Sequence, residues 1–405
     1  MIVRIRKEKD QYWVYFLETR RLIGVNEVGA HIISRYFNEG VDEAVIASGL
    51  VQTYDISPQQ SIEDVTSFLK HVADELRPEV FNNTEQFGMD VPLGVELEIT
   101  TACNLRCRHC LQSDYSSVFM SIEKARWIIN QLSKAGVFEV SIIGGEPFSH
   151  PQIEDIISAA DGAGFAIGLT SNGLLITKKH IDLMAGMENI SMAISIDGVG
   201  KDHDYIRGKG VFVKADKVIR SLIDNGVEVE VMFTVNSYNI SKYVETLDYC
   251  RGLGIVCNFN LFKPFKDSHR SLVPDPNQFF ALMRDLYEIR KKQQYKIGLS
   301  HAAIVSYLMG LEPRDECRAG QSGLVIDVHG RMLTCPSLLY CGYYKETDFP
   351  AFDENFVETW KRHPLFTQFK QNGLSGCQAR SLIFSHDVKK GDPYDLAEFK
   401  KFMGQ

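Results

Sequence analysis

The spacing of apolar positions changes along the chain, and the changes divide it. Near the amino terminus, residues 2–6 and 12–16 are rich in bulky apolar side chains on either side of the polar turn Lys7-Glu8-Lys9-Asp10. Residues 21–24 repeat the pattern, so strands are expected at all three places. Helical spacing follows. Asn26 stands as an N-cap before Ala30, Ile33 and Phe37 on one face, residues 42–48 carry a second helix, and 58–76 a third with Ser57 and Pro58 as cap and first-turn pair. Three strands followed by three helices over residues 1–79 predict a small winged-helix-like domain with a core separate from its neighbour's. Residues 80–92, which include Asn82-Asn83-Thr84-Glu85, read as a linker.

From 93 to 299 the pattern becomes an alternation. Strands are expected at 94–100, 138–143, 165–170, 190–196, 227–235 and 255–261, and helices between them at 121–134, 153–163, 178–184, 213–225 and 242–252. Strands joined by helical crossovers form a parallel sheet, so the fold class is α/β, here a partial (β/α)6 barrel. Such folds carry their chemistry on loops at the carboxyl ends of the strands. A further helix is expected at 276–292 behind Asp275. Residues 300–405 differ, with a hairpin pattern at 323–333 and four of the nine cysteines.

Composition narrows the classes. The 405 residues, 44% hydrophobic and 24% charged, suffice for two or three domains. A net charge of -8, with more acidic than basic residues in 1–79, gives no field for nucleic acid. No apolar run is long enough for a bilayer and none at the start has signal-peptide form, so no membrane is expected and the cytoplasm is. Nine cysteines in that setting point to metal or redox work rather than disulfides.

The candidate chemistry starts at Cys103, Cys107 and Cys110, a C-x3-C-x2-C loop directly after the first barrel strand. Soft thiolates suit the irons of a [4Fe–4S] cluster, and three of them leave one iron open to a chelating ligand. A zinc site completed by His109 and a redox C-x2-C pair are the competing readings of the triplet alone. The loop resembles that of the radical S-adenosylmethionine (SAM) enzymes. The resemblance implies that SAM's amine and carboxylate fill the open site and that cluster reduction yields a 5′-deoxyadenosyl radical. Gly144-Gly145-Glu146-Pro147 after the second strand matches the family's SAM-amine segment. Ser171 and Asn172, Ser195 and Asp197, and Arg207 match its later polar strand ends around SAM. His109 falls where the family places an aromatic beside adenine.

Two further resemblances flank the barrel. The order of residues 1–79, with Val25 to Ile33 and Asp64 to Leu69, resembles the PqqD peptide-chaperone domain, the recognition element for precursors of ribosomally made, modified peptides. It implies that an extended leader peptide adds to the sheet and lies against the last helix. DNA binding and a structural cap are the rival readings. In the last segment, Cys317, Gly330 and Cys335 match the C-x9–15-G-x4-C opening of SPASM and twitch extensions, and Cys377 with Gly391-Asp392-Pro393 matches their end. The C-x2-C pair expected upstream of Cys377 and the cysteine expected after Asp392-Pro393 are both missing, so the resemblance implies one auxiliary [4Fe–4S] cluster on Cys317, Cys335, Cys341 and Cys377. Alternatives are an open iron in place of Cys341, or a four-thiolate zinc.

The whole then reads as a radical SAM oxidoreductase that matures a precursor peptide, forming a thioether or carbon crosslink, with flavodoxin or ferredoxin as electron donor. A peptide epimerase with Cys257 as hydrogen donor, and an enzyme acting on a small molecule or tetrapyrrole, are the alternatives. Cys250 and Cys257 otherwise read as small core residues.

Overall fold

The computed structural model describes residues 1–76, 89–111, 116–265, 267–292, 295–311, 317, 319–371, 376–388 and 390–405. Antiparallel strands β1 (Val3–Glu8), β2 (Gln11–Phe16) and β3 (Arg21–Val25) open the chain in the order β1-β2-β3. Among the described residues β3 pairs only with β2, so its outer edge carries unpaired backbone groups. Helices α1 (Glu27–Ile33), α2 (Glu43–Tyr54) and α3 (Pro58–Glu75) follow. The Asn26 side chain accepts from the Gly29 N–H at 2.8 Å and the Ser57 hydroxyl from the Gln60 N–H at 3.1 Å, so both predicted caps form. Helix α2 runs past the expected 48 because Leu50 and Val51 continue its apolar surface. Asp55, at φ 51°, ends it.

The sheet of this domain is apolar on both faces, which corrects the expectation of a separate core. One face packs on the helices through Val14, Phe16, Ile33 and Val72. The other, through Trp13, Tyr15 and Leu22, joins Leu93, Phe138 and Ala166 of the barrel in one buried cluster. Tyr15 stacks on Phe138 with centroids 5.2 Å apart and donates its hydroxyl to Glu139 at 2.6 Å. The buried Arg6 donates to the carbonyls of Pro92 and Gly136. Arg20, in the β2–β3 turn, reaches the Ile167 carbonyl at 2.8 Å and the Ser191 hydroxyl at 2.9 Å. All these barrel partners stand at the amino ends of its strands. Of the expected linker, residues 80–88 lie outside the described residues.

The barrel alternates β4 (Gly94–Glu98), α4 (Ile122–Lys134), β5 (Glu139–Ile143), α5 (Ile153–Gly162), β6 (Ala166–Ser171), α6 (Lys178–Ala185) and β7 (Ile190–Ser195). It continues with α7 (Lys201–Arg207), α8 (Val211–Asp224), β8 (Glu228–Val235), α9 (Tyr243–Leu253) and β9 (Val256–Leu261). The six strands are parallel and neighbour one another in sequence order, as expected. Only α7 has no counterpart in the apolar pattern. Period two explains the two sheet faces. Val95, Leu97, Val140, Ile142, Val231 and Phe233 face the helices in the main core. Glu96, Ser141, Thr170, Ser195, Thr234 and Asn260, out of phase by one, face cavities on the inner side. Ordinary parallel strands are apolar on both faces. A polar inner face therefore belongs to a cavity.

Beyond the barrel come α10 (Pro276–Lys291), β10 (Ile297–Leu299), α11 (Ala302–Leu308), β11 (Gly323–Ile326), β12 (Met332–Leu333) and α12 (Pro336–Tyr340). Helices α13 (Phe356–Arg362), α14 (Pro364–Gln371), α15 (Gln378–Ser385) and α16 (Leu396–Phe402) close the chain. The expected hairpin forms, and it also lengthens the barrel sheet. β11 runs parallel to β4 and β10 parallel to β9, giving the order β10-β9-β8-β7-β6-β5-β4-β11-β12. Trp360, Phe366, Tyr394 and Phe399 belong to the main core, so no packing boundary falls at 299/300. No helix among the described residues is long and apolar enough to cross a membrane.

Candidate active site

A cavity of about 580 Å³ opens at the carboxyl ends of the barrel strands, and Cys103, Cys107 and Cys110 line it. Backbone contacts hold their loop in place. The Gly145 N–H donates to the Thr100 carbonyl at 2.8 Å and the Glu146 N–H to the Ala102 carbonyl at 2.8 Å. Such proximity requires glycine. A Cβ at Gly144 would stand 2.5 Å from the Thr100 oxygen, and one at Gly145 2.5 Å from that of Ala102. On the far side the Arg108 N–H donates to the Ile206 carbonyl at 2.9 Å, and its guanidinium lies 4.2 Å from the centroid of the Tyr205 ring. Asn172 donates to the Asn104 side-chain oxygen at 2.8 Å, tying the end of β6 to the same loop.

Glu146, 1% exposed, uses both carboxylate oxygens on protein donors. One accepts from the Ser171 hydroxyl at 2.7 Å and the Phe148 N–H at 3.2 Å, the other from the Asn172 N–H at 2.8 Å. The side chain is thus a strut between β5 and β6, and what the turn presents to the cavity is backbone. Ser171, Asn172, Ser195, Arg207 and His109 line the cavity with it; Pro147 and Asp197 do not. Asp197 sits fully buried behind Arg207, accepting from its Nε at 2.5 Å and from the Thr234 N–H at 3.0 Å. The Arg207 guanidinium holds its carboxyl below the usual range against the burial that raises it. The His109 imidazole, 3.5 Å from Arg207, is pulled down to about 4 by burial and is neutral at ordinary pH.

Cys317, Cys335 and Cys377 line the same cavity. The Gly376-Cys377…Arg380…Asp392 pattern acquires a physical reason. Asp392 accepts from the Cys377 N–H at 2.7 Å and pairs with Arg380 in a fully buried ion pair, which fixes the cysteine's direction. Gly376, at φ +85°, has Asp392 where a side chain would go. Cys341 is not with them. Its sulfur lies 4.0 Å from the Pro264 carbonyl, in a separate hollow with Phe265 and His386. The expected quartet therefore divides between two hollows, with Cys341 still near enough to Cys335 and Cys377 for charge on either to raise its thiol. Cys257 is also out of reach. Wholly buried on the face of β9 turned to the helices, it packs with Cys250 and does not line the cavity of the cysteine trios, which removes it as a hydrogen donor to that cavity.

The cysteine environments suit a cationic iron assembly. Burial pushes Cys107 up to about 11 and Cys317 up to about 12, so their thiolates need positive charge at the sulfur. Arg207 supplies part at Cys107, and Lys263 part at Cys317 and Cys335. Among the described residues no three His, Cys, Asp or Glu side chains converge on a position for a single metal ion.

Four ionisable cavity-lining groups escaped the sequence reading: Glu96, Lys263, His301 and Arg380. Glu96 projects from the middle of β4 and makes no hydrogen bond or ion pair with another described residue. Burial raises its carboxyl and Lys263 lowers it, burial being the larger. Its signal was available, since an acid out of phase with Val95, Leu97 and Ile99 in an interior strand faces a cavity. His301 is held neutral by burial and by Arg380, whose guanidinium nitrogen is 3.5 Å from its Nε2.

A second hollow, about 570 Å³, lies between β3 and α3 of the amino-terminal domain. Ile23, Val25, Val28, Tyr54, Phe68 and Val72 make it apolar, with Asp64, His71 and Glu75 also in its lining.

A parallel barrel with a three-thiol loop after its first strand and a Gly-Gly-Glu turn after its second defines the class of iron–sulfur enzymes that cleave SAM. Residues 97–250 match the family model of the Radical SAM superfamily, and residues 12–75 that of Coenzyme PQQ synthesis protein D (PqqD). Residues 97–250 thus carry the domain of the Radical SAM superfamily, whose enzymes use SAM and a [4Fe–4S] cluster. It is 27% identical over 303 residues to the mycofactocin maturase MftC of Mycobacterium ulcerans, covering 72% of this chain and 81% of that one. It is 22% identical over 344 residues to the AdoMet-dependent heme synthase of Methanosarcina barkeri, covering 75% and 96%. Its fold matches that of Streptococcus suis SuiB bound to precursor peptide SuiA, with TM-score 0.71, 16% identity, and 96% and 97% of the two chains covered.

Proposed function

We propose that this enzyme crosslinks a ribosomally made precursor peptide through a thioether or carbon bond. Cys103, Cys107 and Cys110 hold the cluster that binds SAM, and Cys317, Cys335 and Cys377 hold an auxiliary [4Fe–4S] cluster. When bound, the first cluster supplies the electron that breaks SAM's sulfonium C–S bond and yields the hydrogen-abstracting radical. The chain's own residues shape the rest. Gly144 and Gly145 let a ligand approach the backbone, Glu146 keeps two strand ends in register, and Arg207 sets a positive charge beside the thiols while Asp197 orients it. Ser171, Asn172 and Ser195 offer polar contacts to SAM.

The observation that carries this reading is that both cysteine trios line one cavity. A crosslink removes one more electron than hydrogen abstraction does, and an auxiliary cluster beside the radical site can receive it. An epimerase needs a thiol donor instead, and Cys257 is walled off. The β3–α3 hollow supports the peptide as substrate. It joins a free strand edge to an apolar helix face, the arrangement that β-augmentation uses, and its carboxylates disfavour nucleic acid. A tetrapyrrole would leave it without an occupant. A low-potential flavodoxin or ferredoxin is the matching reductant, in the cytoplasm.

Anaerobic reconstitution with iron and sulfide should load about eight irons, two four-iron clusters, and dithionite should drive SAM to 5′-deoxyadenosine. Cys103→Ala/Cys107→Ala/Cys110→Ala should keep about half that iron and cleave no SAM. Cleavage surviving the triple change would refute the site.

A further inference from the structure

One lysine shares the cavity wall with the second cysteine trio. Lys263, just past β9, lines the main cavity and also a hollow of about 440 Å³ on the inner side of the sheet. Cys317, Cys335, Cys377, Glu96 and Asn260 line both with it. Among the described residues no carboxylate stands within ion-pair distance of its ammonium, and no oxygen accepts from it. The strongest attraction on it comes from Cys377, with Cys335 and Cys317 contributing after burial opposes. The Lys263 side chain is exposed within that cavity rather than packed into the protein, so it is free to meet a group held there. A cluster carried by three thiolates is net negative and is the partner this lysine lacks. The other cation on that wall is already matched, because Asp392 holds Arg380 in its buried ion pair.

We infer that Lys263 is the positioning residue that sets the reduction potential of the auxiliary cluster on Cys317, Cys335 and Cys377, making that cluster the acceptor of the substrate's electron. This rests on the auxiliary-cluster reading above. Adding an electron makes a cluster more negative, and a positive charge on the same cavity wall stabilises that form and raises its potential. The redox step balances. A substrate carbon radical and a peptide X–H group form a C–X bond, the X–H bond breaks, and one proton and one electron leave. The electron passes to the auxiliary cluster. The proton goes to Glu96, since Glu146, the other carboxylate lining the cavity, is hydrogen-bonded on both oxygens.

The experiment needs no peptide. In the Cys103→Ala/Cys107→Ala/Cys110→Ala chain, reconstituted so that only the auxiliary cluster remains, the potential is read by a redox titration followed by electron paramagnetic resonance. Lys263→Met should shift it to more negative values, while Lys263→Arg should leave it near that of the parent. In the otherwise native chain, Lys263→Met should move the auxiliary signal and leave that of the 103/107/110 cluster in place. If Lys263→Met fails to hold iron, Lys263→Gln replaces it with the same expected shift. Equal potentials in the neutral variant and its parent overturn the inference and leave the auxiliary cluster standing. A parent that retains no iron overturns the auxiliary-cluster reading itself, and the inference with it.

Discussion

Cys341 and Cys335 are six positions apart, at either end of the five-residue helix α12, yet their surroundings differ. Cys335, as N-cap residue, faces the cavity; Cys341, as C-cap residue, is turned toward Pro264 and a separate hollow. Cys341→Ala should therefore keep the full iron content and leave the auxiliary spectrum unchanged, as iron analysis and paramagnetic resonance would report. Loss of a cluster would return Cys341 to the ligand set. The sequence made the two look equivalent because spacing counts residues and takes no account of side-chain direction. Glu146 and Asp197 teach the same lesson from the other side. Their places at strand ends were legible, but their hydrogen bonds were not, and both turn out to brace the residues that face the cavity.

At the scale of elements, β4 carries two inward acids, and the second supports the junction with the β11–β12 hairpin. Glu98 is pushed up to about 7 by burial first and Asp327 second, while the Val328 backbone N–H and Arg331 pull the other way. Its ordinary value is 4.5, so the shift is upward on folding. The stability it contributes is present below the ordinary value and is lost as pH rises through about 7. Glu98→Gln should abolish that loss. The variant and the parent should have similar urea midpoints near pH 5, and the variant should lead by on the order of 1–2 kcal/mol at pH 8, discounted for partial solvent access. A gap independent of pH would show that Glu98 acts by packing alone. The hairpin was legible from its alternation, but its parallel pairing with β4 was not. That contact joins residues more than 220 positions apart, and no local pattern encodes it.

For the whole molecule, the amino-terminal domain is bolted to the amino ends of the barrel strands. Its three-strand, three-helix order was readable from caps and periods. Its attachment was not, because Trp13 and Tyr15 look like core residues of their own sheet and are in fact shared. Removing residues 1–76 would expose Leu93, Phe138 and Ala166 and leave the Glu139 carboxyl without Tyr15. The truncated chain should aggregate or melt well below the parent, as thermal scans would show, rather than yield an independent barrel. Binding is better tested in the full chain. Val28→Asp/Tyr54→Ala, within the hollow, should weaken binding of the enzyme's precursor peptide at least about tenfold, given ~1.5 kcal/mol or more for each lost apolar contact. SAM cleavage without peptide should be unchanged, and binding should depend little on salt.

The β2–β3 turn, with Arg20 reaching Ile167 and Ser191, sits against the amino ends of the barrel strands. A chain anchored on β3 starts at the amino ends of the barrel strands, whereas the thiols line the cavity at their carboxyl ends. A six-residue barrel strand rises about 20 Å, so at least ~6 extended residues are consumed in covering that height alone. With the capture on β3 proposed above, the enzyme would measure its substrate. Side chains closer than that to the anchored segment stay out of range, and moving a reactive residue inward by deletion should silence it without weakening capture. Comparing captured and crosslinked fractions across peptides of graded spacer length would reveal the gauge, and a yield indifferent to spacer length would mean that the anchor lies elsewhere.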